Sequence, residues 1–149
     1  TYHGPGQIVG YPILKLAGVG TVGSYLRALE SILIDVLAQF DLAAKRGEQT
    51  GVWVGGKKLV SIGIAVRKWV TFHGIALNVN NDPAEFSRIR PCGLDPAVMT
   101  SLSRLLGTPV PLALVGDKVA EHAGEVFRRR IRGGVYRSRA AVRPGGDGV

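Results

Sequence analysis

The apolar residues Tyr25, Leu29, Ile32, Leu33, Val36, Leu37 and Phe40 recur at steps of three and four, which predicts a helix with one buried stripe, starting from Ser24 as N-cap. Such a stripe needs a flat surface to lie on, and the following sequence supplies one. Residues 51–54 (Gly-Val-Trp-Val) and 58–66 (Lys-Leu-Val-Ser-Ile-Gly-Ile-Ala-Val) read as strands, with Gly55-Gly56 between them suited to a primed turn. A third extended run, Val70 to Asn78, follows the basic turn at Arg67-Lys68. Links this short join antiparallel strands only. Upstream, Gln7 to Leu14 is apolar and extended, set between the turn formers Gly4-Pro5-Gly6 and a glycine-rich loop at Gly18 to Gly23.

Beyond Asn81-Asp82-Pro83 the pattern predicts a short helical turn over Ala84 to Ile89, then a loop. A helix follows, capped by Asp95 with Pro96 at its first position, running to about Leu106. The run from Gly107 to Pro111 ends it, and a last helix extends from Pro111 or Asp117 to Arg130, with Val119, Ala123, Val126 and Phe127 on one face. Strands grouped together with helices set apart predict an α+β fold, two layers with helices on one face of a mainly antiparallel sheet.

Composition narrows the class. The 149 residues, 46% of them hydrophobic, suffice for a single core, which we expect to occupy residues 1–130. The net charge of +8 is concentrated at one end: residues 128–149 hold seven Arg and one Asp, and the remaining chain carries only +2. Residues 131–149 therefore read as a basic, disordered tail rather than as a nucleic-acid-binding surface. One cysteine cannot form an internal disulfide, and no apolar run reaches the ~18 residues that span a bilayer. The expectation is a cytoplasmic protein with no membrane partner.

The candidate chemistry centres on that cysteine. Cys92 sits between Pro91 and Gly93 in a loop, downstream of strands carrying Lys58, Ser61 and His73. A thiolate is the nucleophile, and a thiol of ordinary pKa needs a nearby cation or base to act at neutral pH. Lys58 is a candidate, but 34 residues separate it from Cys92, and sequence spacing does not bring them together. The three His and one Cys are not spaced as a zinc site, and no phosphate-binding loop is present.

Four ordered blocks add a resemblance. Thr1-Tyr2-His3-Gly4-Pro5-Gly6-Gln7, Gly56-Lys57-Lys58-Leu59-Val60-Ser61-Ile62-Gly63, Thr71-Phe72-His73-Gly74-Ile75-Ala76-Leu77-Asn78-Val79-Asn80 and Ile89-Arg90-Pro91-Cys92-Gly93 together resemble the signature of the lipoyl(octanoyl) transferases, over roughly residues 1–106. The resemblance implies the core of the biotin and lipoate ligases. It implies transfer of an octanoyl group from acyl carrier protein, through a cysteine thioester, to a lysine on a lipoyl domain. The acceptors would be the lipoyl domains of 2-oxoacid dehydrogenase complexes and the glycine cleavage H protein. Cys92 matches the acyl-accepting cysteine, and Lys58 the lysine that lowers its pKa and shuttles protons. Ser61, Ile62 and Gly63, and Gly74, Ile75 and Ala76, match segments lining the acyl site, and Thr1, Tyr2 and His3 match the end of another. His73 and His3 each stand either as turn-shaping imidazoles or as groups at the reacting centre.

The resemblance has a physical rationale. The donor is already a thioester, so acyl transfer to Cys92 is nearly isoenergetic and amide formation is downhill, and neither a cofactor nor a metal is expected. An eight-carbon chain buried at about 0.8 kcal/mol per methylene gains several kcal/mol from a dry slot. The family's Arg-Gly-Gly before the Thr-Tyr-His block is missing, because the sequence starts after it; Arg132-Gly133-Gly134 has the same letters in another context. The expectation is a catalytic domain lacking its N-terminal part, with weak or no activity alone. Two rival readings are a cysteine hydrolase using Cys92 and His73 with Asn78 or Asn80 as orienting amide, and a nucleic-acid-binding module acting through the Arg-rich tail.

Overall fold

The computed structural model describes residues 2–17, 20–89 and 93–128. Helix α1 spans Val22–Ala38 and buries Tyr25, Leu29, Ile32, Leu33, Val36 and Leu37, the stripe that the periodicity predicts. Its cap is Thr21 rather than Ser24. The extended backbone that a cap requires falls on Thr21, whose Oγ1 accepts the Ser24 N–H at 3.1 Å, while Ser24 Oγ donates back to the Thr21 carbonyl at 2.8 Å.

Among the described residues five strands form one sheet: β1 Gln7–Gly10, β2 Ala44–Arg46, β3 Gly51–Val54, β4 Lys57–Arg67 and β5 Val70–Asn78. They lie in the order β1-β5-β4-β3-β2, and each neighbouring pair is antiparallel. Gly55 and Gly56, at φ 55° and 77°, make the primed turn that joins β3 to β4. The β4–β5 turn is centred one residue later than expected, on Lys68 and Trp69, both left-handed without glycine. Strand β1 stops at Gly10 and not at Leu14. Pro12 has no N–H to give the ladder, although the chain rejoins β5 through Thr71 N–H to the Leu14 carbonyl (2.9 Å) and Leu16 N–H to the Trp69 carbonyl (2.8 Å).

Helix α1 packs with the last helix on one face of the sheet, around Leu29, Leu33, Val52, Val60, Ile75 and Leu77. The 3₁₀ turns Pro83–Arg88 and Pro96–Val98 are capped by Asp82 and Asp95. Helix α2 covers only Leu102–Leu106, and helix α3 covers Leu112–Val126. The single helix expected from Asp95 to Leu106 is thus split. Its middle is captured by β4: Met99 bridges Lys58, and the Thr100 N–H donates to the Lys58 carbonyl at 3.0 Å. On α3, Val115 is buried and Val119 and Phe127 lie against the core, whereas Val126, expected on the same face, is largely exposed. The result is an α+β fold in two layers.

Candidate active site

Cross-strand register sorts the side chains into two faces. Val60 opposes Leu77 and Ile62 opposes Ile75, and all four turn toward the helices. Ser61 opposes Ala76, Gly63 opposes Gly74 and Gln7 opposes Asn78, so this set occupies the other face. Plain alternation from Val60 would send Lys58 under the helices. A β-bulge prevents that. Val52 pairs with Val60 but Trp53 pairs with Lys58, leaving Leu59 as an extra residue in β4. Leu59 and Val60 both enter the core, and Lys58 is turned onto the face shared with Trp53 and Ser61.

Lys58 is only 2% exposed, a degree of burial that lysine seldom reaches. Its Nζ lies 5.6 Å from the centre of the Trp53 ring, a cation–π contact. The stem passes over Gly51, where a Cβ would come within 2.9 Å of Lys58 Cε and 2.4 Å of the Val60 carbonyl oxygen. Gly51 thus leaves the stem its path. The segment that follows Cys92 in sequence returns to this point: Lys57 Nζ donates to the Ala97 carbonyl at 2.8 Å, and Met99 and Thr100 flank Lys58. The separation in sequence between the lysine and residues 97–100 is closed by these contacts with β4.

Next along this face lie small residues. Ser61 is half-buried and Ala76 buried, while Gly63 is exposed, and a Cβ on it would meet nothing within 4 Å. Gly74 differs. A Cβ there would stand 2.2 Å from the Gly10 carbonyl oxygen and 2.8 Å from Pro12 Cδ, so glycine is required for the β1 extension to cross. Ser61, Gly63 and Ala76 form a shallow strip beside Lys58, whereas Ile62 and Ile75 contribute only backbone to it. His73 holds φ 61°, a costly conformation for a residue with a Cβ, and its exposed ring stands edge-on to Tyr11 with centroids 5.9 Å apart.

The first block lies at the Lys58 end of the strip, across β5, where Gln7 pairs with Asn78. Tyr2 packs edge-on against Phe86, with centroids 5.0 Å apart, in the 3₁₀ turn that precedes Cys92 in sequence. His3 Nδ1 lies 2.8 Å from Gln7 Oε1, Gln7 Nε2 donates to Asn78 Oδ1 at 2.9 Å, and Asn78 Nδ2 donates to the Thr100 carbonyl at 3.0 Å. The amides of Asn78 and Asn80 are both spent in such bonds, Asn80 on both backbone polar groups of Val110, which leaves neither to orient an imidazole at His73. Sequence reasoning assigned no role to Gln7, Gly51, Trp53 or Thr100. A polar Gln heading an apolar strand was the one available signal.

Thr1, Cys92 and the Arg-rich tail lie outside the described residues, as does Arg90. Among the described residues no group of His, Cys, Asp or Glu is placed to hold a metal ion, and no helix is long and apolar enough to cross a membrane.

Residues 1–124 match the lipoyl protein ligase A/B catalytic domain. The octanoyltransferase of Geobacter metallireducens is 53% identical over 122 residues, covering 80% of this chain and 57% of that protein. The octanoyltransferase of Gloeobacter violaceus is 46% identical over 147 residues, 97% of this chain and 65% of that protein. The chain therefore spans somewhat more than half the length of the curated relatives it matches. Among solved structures, the apo biotin protein ligase of Aquifex aeolicus superposes with a TM-score of 0.67 at 17% identity, over 83% of this chain and 53% of that one. A lipoate-protein ligase A bound with ATP gives 0.64, also at 17% identity, over 86% and 53%. These two similarities establish the fold. The domain match and the identities place the chain in the lipoyl protein ligase A/B catalytic domain family, in its octanoyltransferase branch.

Proposed function

We propose that this chain carries the acyl-relay half of a protein octanoyltransferase, with Cys92 as acyl acceptor and Lys58 as its proton partner. Lys58 as an ammonium stabilises the Cys92 thiolate, which attacks the thioester carbonyl of an octanoyl carrier protein. The carrier's C–S bond breaks as the new one forms, and the carrier sulfur leaves with a proton. The substrate lysine of a lipoyl domain then attacks the Cys92 thioester as a free amine, forming the amide and releasing the thiolate, while Lys58 collects a proton. The octanoyl chain occupies the strip over Ser61, Gly63 and Ala76. No step calls for a cofactor, and a reduced thiol suits a cytoplasmic setting.

The observation that carries this reading is the bulge at Leu59, which places a buried lysine on the small-residue face where the segment after Cys92 returns. Donors of the acyl-carrier type, and acceptors such as lipoyl domains of 2-oxoacid dehydrogenases or the glycine cleavage H protein, are partners of the same reading. Intact-mass analysis after incubation with octanoyl carrier protein tests it. A stable single octanoyl adduct is expected, absent in Cys92→Ser, slowed by ~10²-fold or more in Lys58→Ala, and discharged by an added lipoyl domain. Rapid release of free octanoic acid without adduct would instead identify a hydrolase and sink the proposal.

A further inference from the structure

The bonds that lead to His3 run in one forced direction. The Thr100 carbonyl only accepts, so the Asn78 group facing it at 3.0 Å is the amide nitrogen and Asn78 Oδ1 points the other way. That oxygen receives Asn81 Nδ2 at 3.1 Å and Gln7 Nε2 at 2.9 Å. Gln7 Nε2 also faces the Tyr2 carbonyl, at 3.5 Å. The oxygen of Gln7 is therefore the atom turned to His3, 2.8 Å from Nδ1, and an oxygen requires a donor there. Neutral His3 must carry its proton on Nδ1. Its Nε2 is left with a free lone pair on an exposed ring. Asn81 leaves its own Oδ1 buried and without a hydrogen bond while donating to Asn78, so the hub is saturated with donors at the expense of a neighbour.

We infer that Gln7 and Asn78 are positioning residues that hold His3 in the Nδ1–H form, so that Nε2 takes a proton from the ammonium of the incoming substrate lysine. Asn78 also binds the Thr100 carbonyl, and the Thr100 N–H binds the backbone carbonyl of Lys58, so one amide is tied both to His3 and to the strand that carries the lysine. The inference rests on the acyl-relay reading above. In the step it describes, one N–H bond of the ammonium breaks and the proton moves to His3 Nε2. The freed amine attacks the Cys92 thioester carbonyl, the C–S bond breaks, and the second proton passes to Lys58 or the departing sulfur. Two proton acceptors suit a reaction that releases two protons from one nitrogen.

Long-range ¹H–¹⁵N correlation of the histidine rings in the full chain reads the tautomer directly, with the His3 signals assigned by their loss in His3→Gln. The expected result is Nδ1–H in the unsubstituted chain and a change to the Nε2–H form, favoured by imidazoles in water, in Gln7→Leu. Single-turnover experiments supply the second readout. Gln7→Leu and His3→Gln should slow transfer from acylated Cys92 to a lipoyl domain at least tenfold more than they slow loading of Cys92 from octanoyl carrier protein. An Nε2–H ring in the unsubstituted chain, an unchanged tautomer in Gln7→Leu, or equal losses in loading and transfer would each overturn the inference. If the unsubstituted chain forms no Cys92 adduct, the acyl-relay reading falls and takes the base role with it, while the ring tautomer is decided separately by the spectra.

Discussion

At the scale of single residues, the two glycines facing each other across β4 and β5 are required for different reasons. Gly63 has open space where a side chain would stand, so Gly63→Val should leave the urea midpoint of unfolding almost unchanged. The added methyls would fill the strip, and loading of Cys92 with octanoyl should fall at least tenfold while acetyl loading from a short thioester persists. Gly74→Ala is the reverse case. A methyl 2.2 Å from the Gly10 carbonyl oxygen forces backbone apart, and a loss of about 2–3 kcal/mol in denaturant unfolding is expected. Tyr25 supplies a pH signature. Burial raises its hydroxyl pKa above the ordinary value, against a smaller lowering by Thr71. A phenol that ionises later in the folded chain than in the unfolded one contributes stability in full below the unfolded pKa, near ~10, and loses it as pH climbs from there. The stability of the parent chain should therefore decline more steeply above that pH than that of Tyr25→Phe, as followed by chemical denaturation at each pH.

At the scale of elements, local pattern was informative where an element is held by its own periodicity. The stripe of α1, the Gly55-Gly56 hairpin and β5 all appear as read, because burial on one face leaves a repeat in the letters. Where a distant partner decides, the letters say little. Strand β2 has no alternating pattern, and it stands at the sheet edge because Arg46 is tied to α1: its Nε binds Glu30 Oε2 at 2.9 Å and its Nη2 binds Ser31 Oγ at 2.7 Å. The split of the Asp95–Leu106 helix depends on β4, which lies far upstream. The bulge at Leu59 was hidden for the same reason: Lys58-Leu59-Val60 is a good strand sequence in either register, and only pairing with β3 shows which side Lys58 faces. The sequence therefore supplied candidate residues, but not the face that Lys58, Ser61, Gly63 and Ala76 share. The Glu30 clamp yields a prediction. Glu30 is buried and also bound by Arg27 at 2.7 Å, whereas Arg46 keeps part of its side chain in water. Arg46→Ala strands a buried carboxylate on one exposed partner and should cost about 2–3 kcal/mol. Glu30→Leu lets both arginines return to solvent and should cost less than half as much in urea unfolding.

At the scale of the whole molecule, charge is segregated by layer. Residues 1–29 and 49–81, which include β1, β3, β4 and β5, contain no Asp or Glu at all, while they hold Lys15, Arg27, Lys57, Lys58, Arg67 and Lys68. The carboxylates of the described residues sit on α1, on α3, and in the loops and 3₁₀ turns. Lys15, Arg67 and Lys68 are exposed around the tip of the β4–β5 hairpin, next to Trp69, which is 64% exposed. An indole ringed by cations, with no acid on the same strands, favours an acidic partner by attraction during approach and by apolar contact after it. Arg67 lies on the same strand as Gly63, about 13 Å away at 3.3 Å per residue, so a protein seated at the tip stands beside the proposed acyl strip. Reversing Arg67 and Lys68 to Glu should lower the association rate of octanoyl carrier protein at least tenfold at low salt, measured by stopped-flow fluorescence of Trp69. The difference between parent and variant should shrink as ionic strength rises and the screening length falls to a few ångström near 1 M. A rate that is the same for parent and variant at low salt would mean that the basic tip takes no part in recruiting the donor.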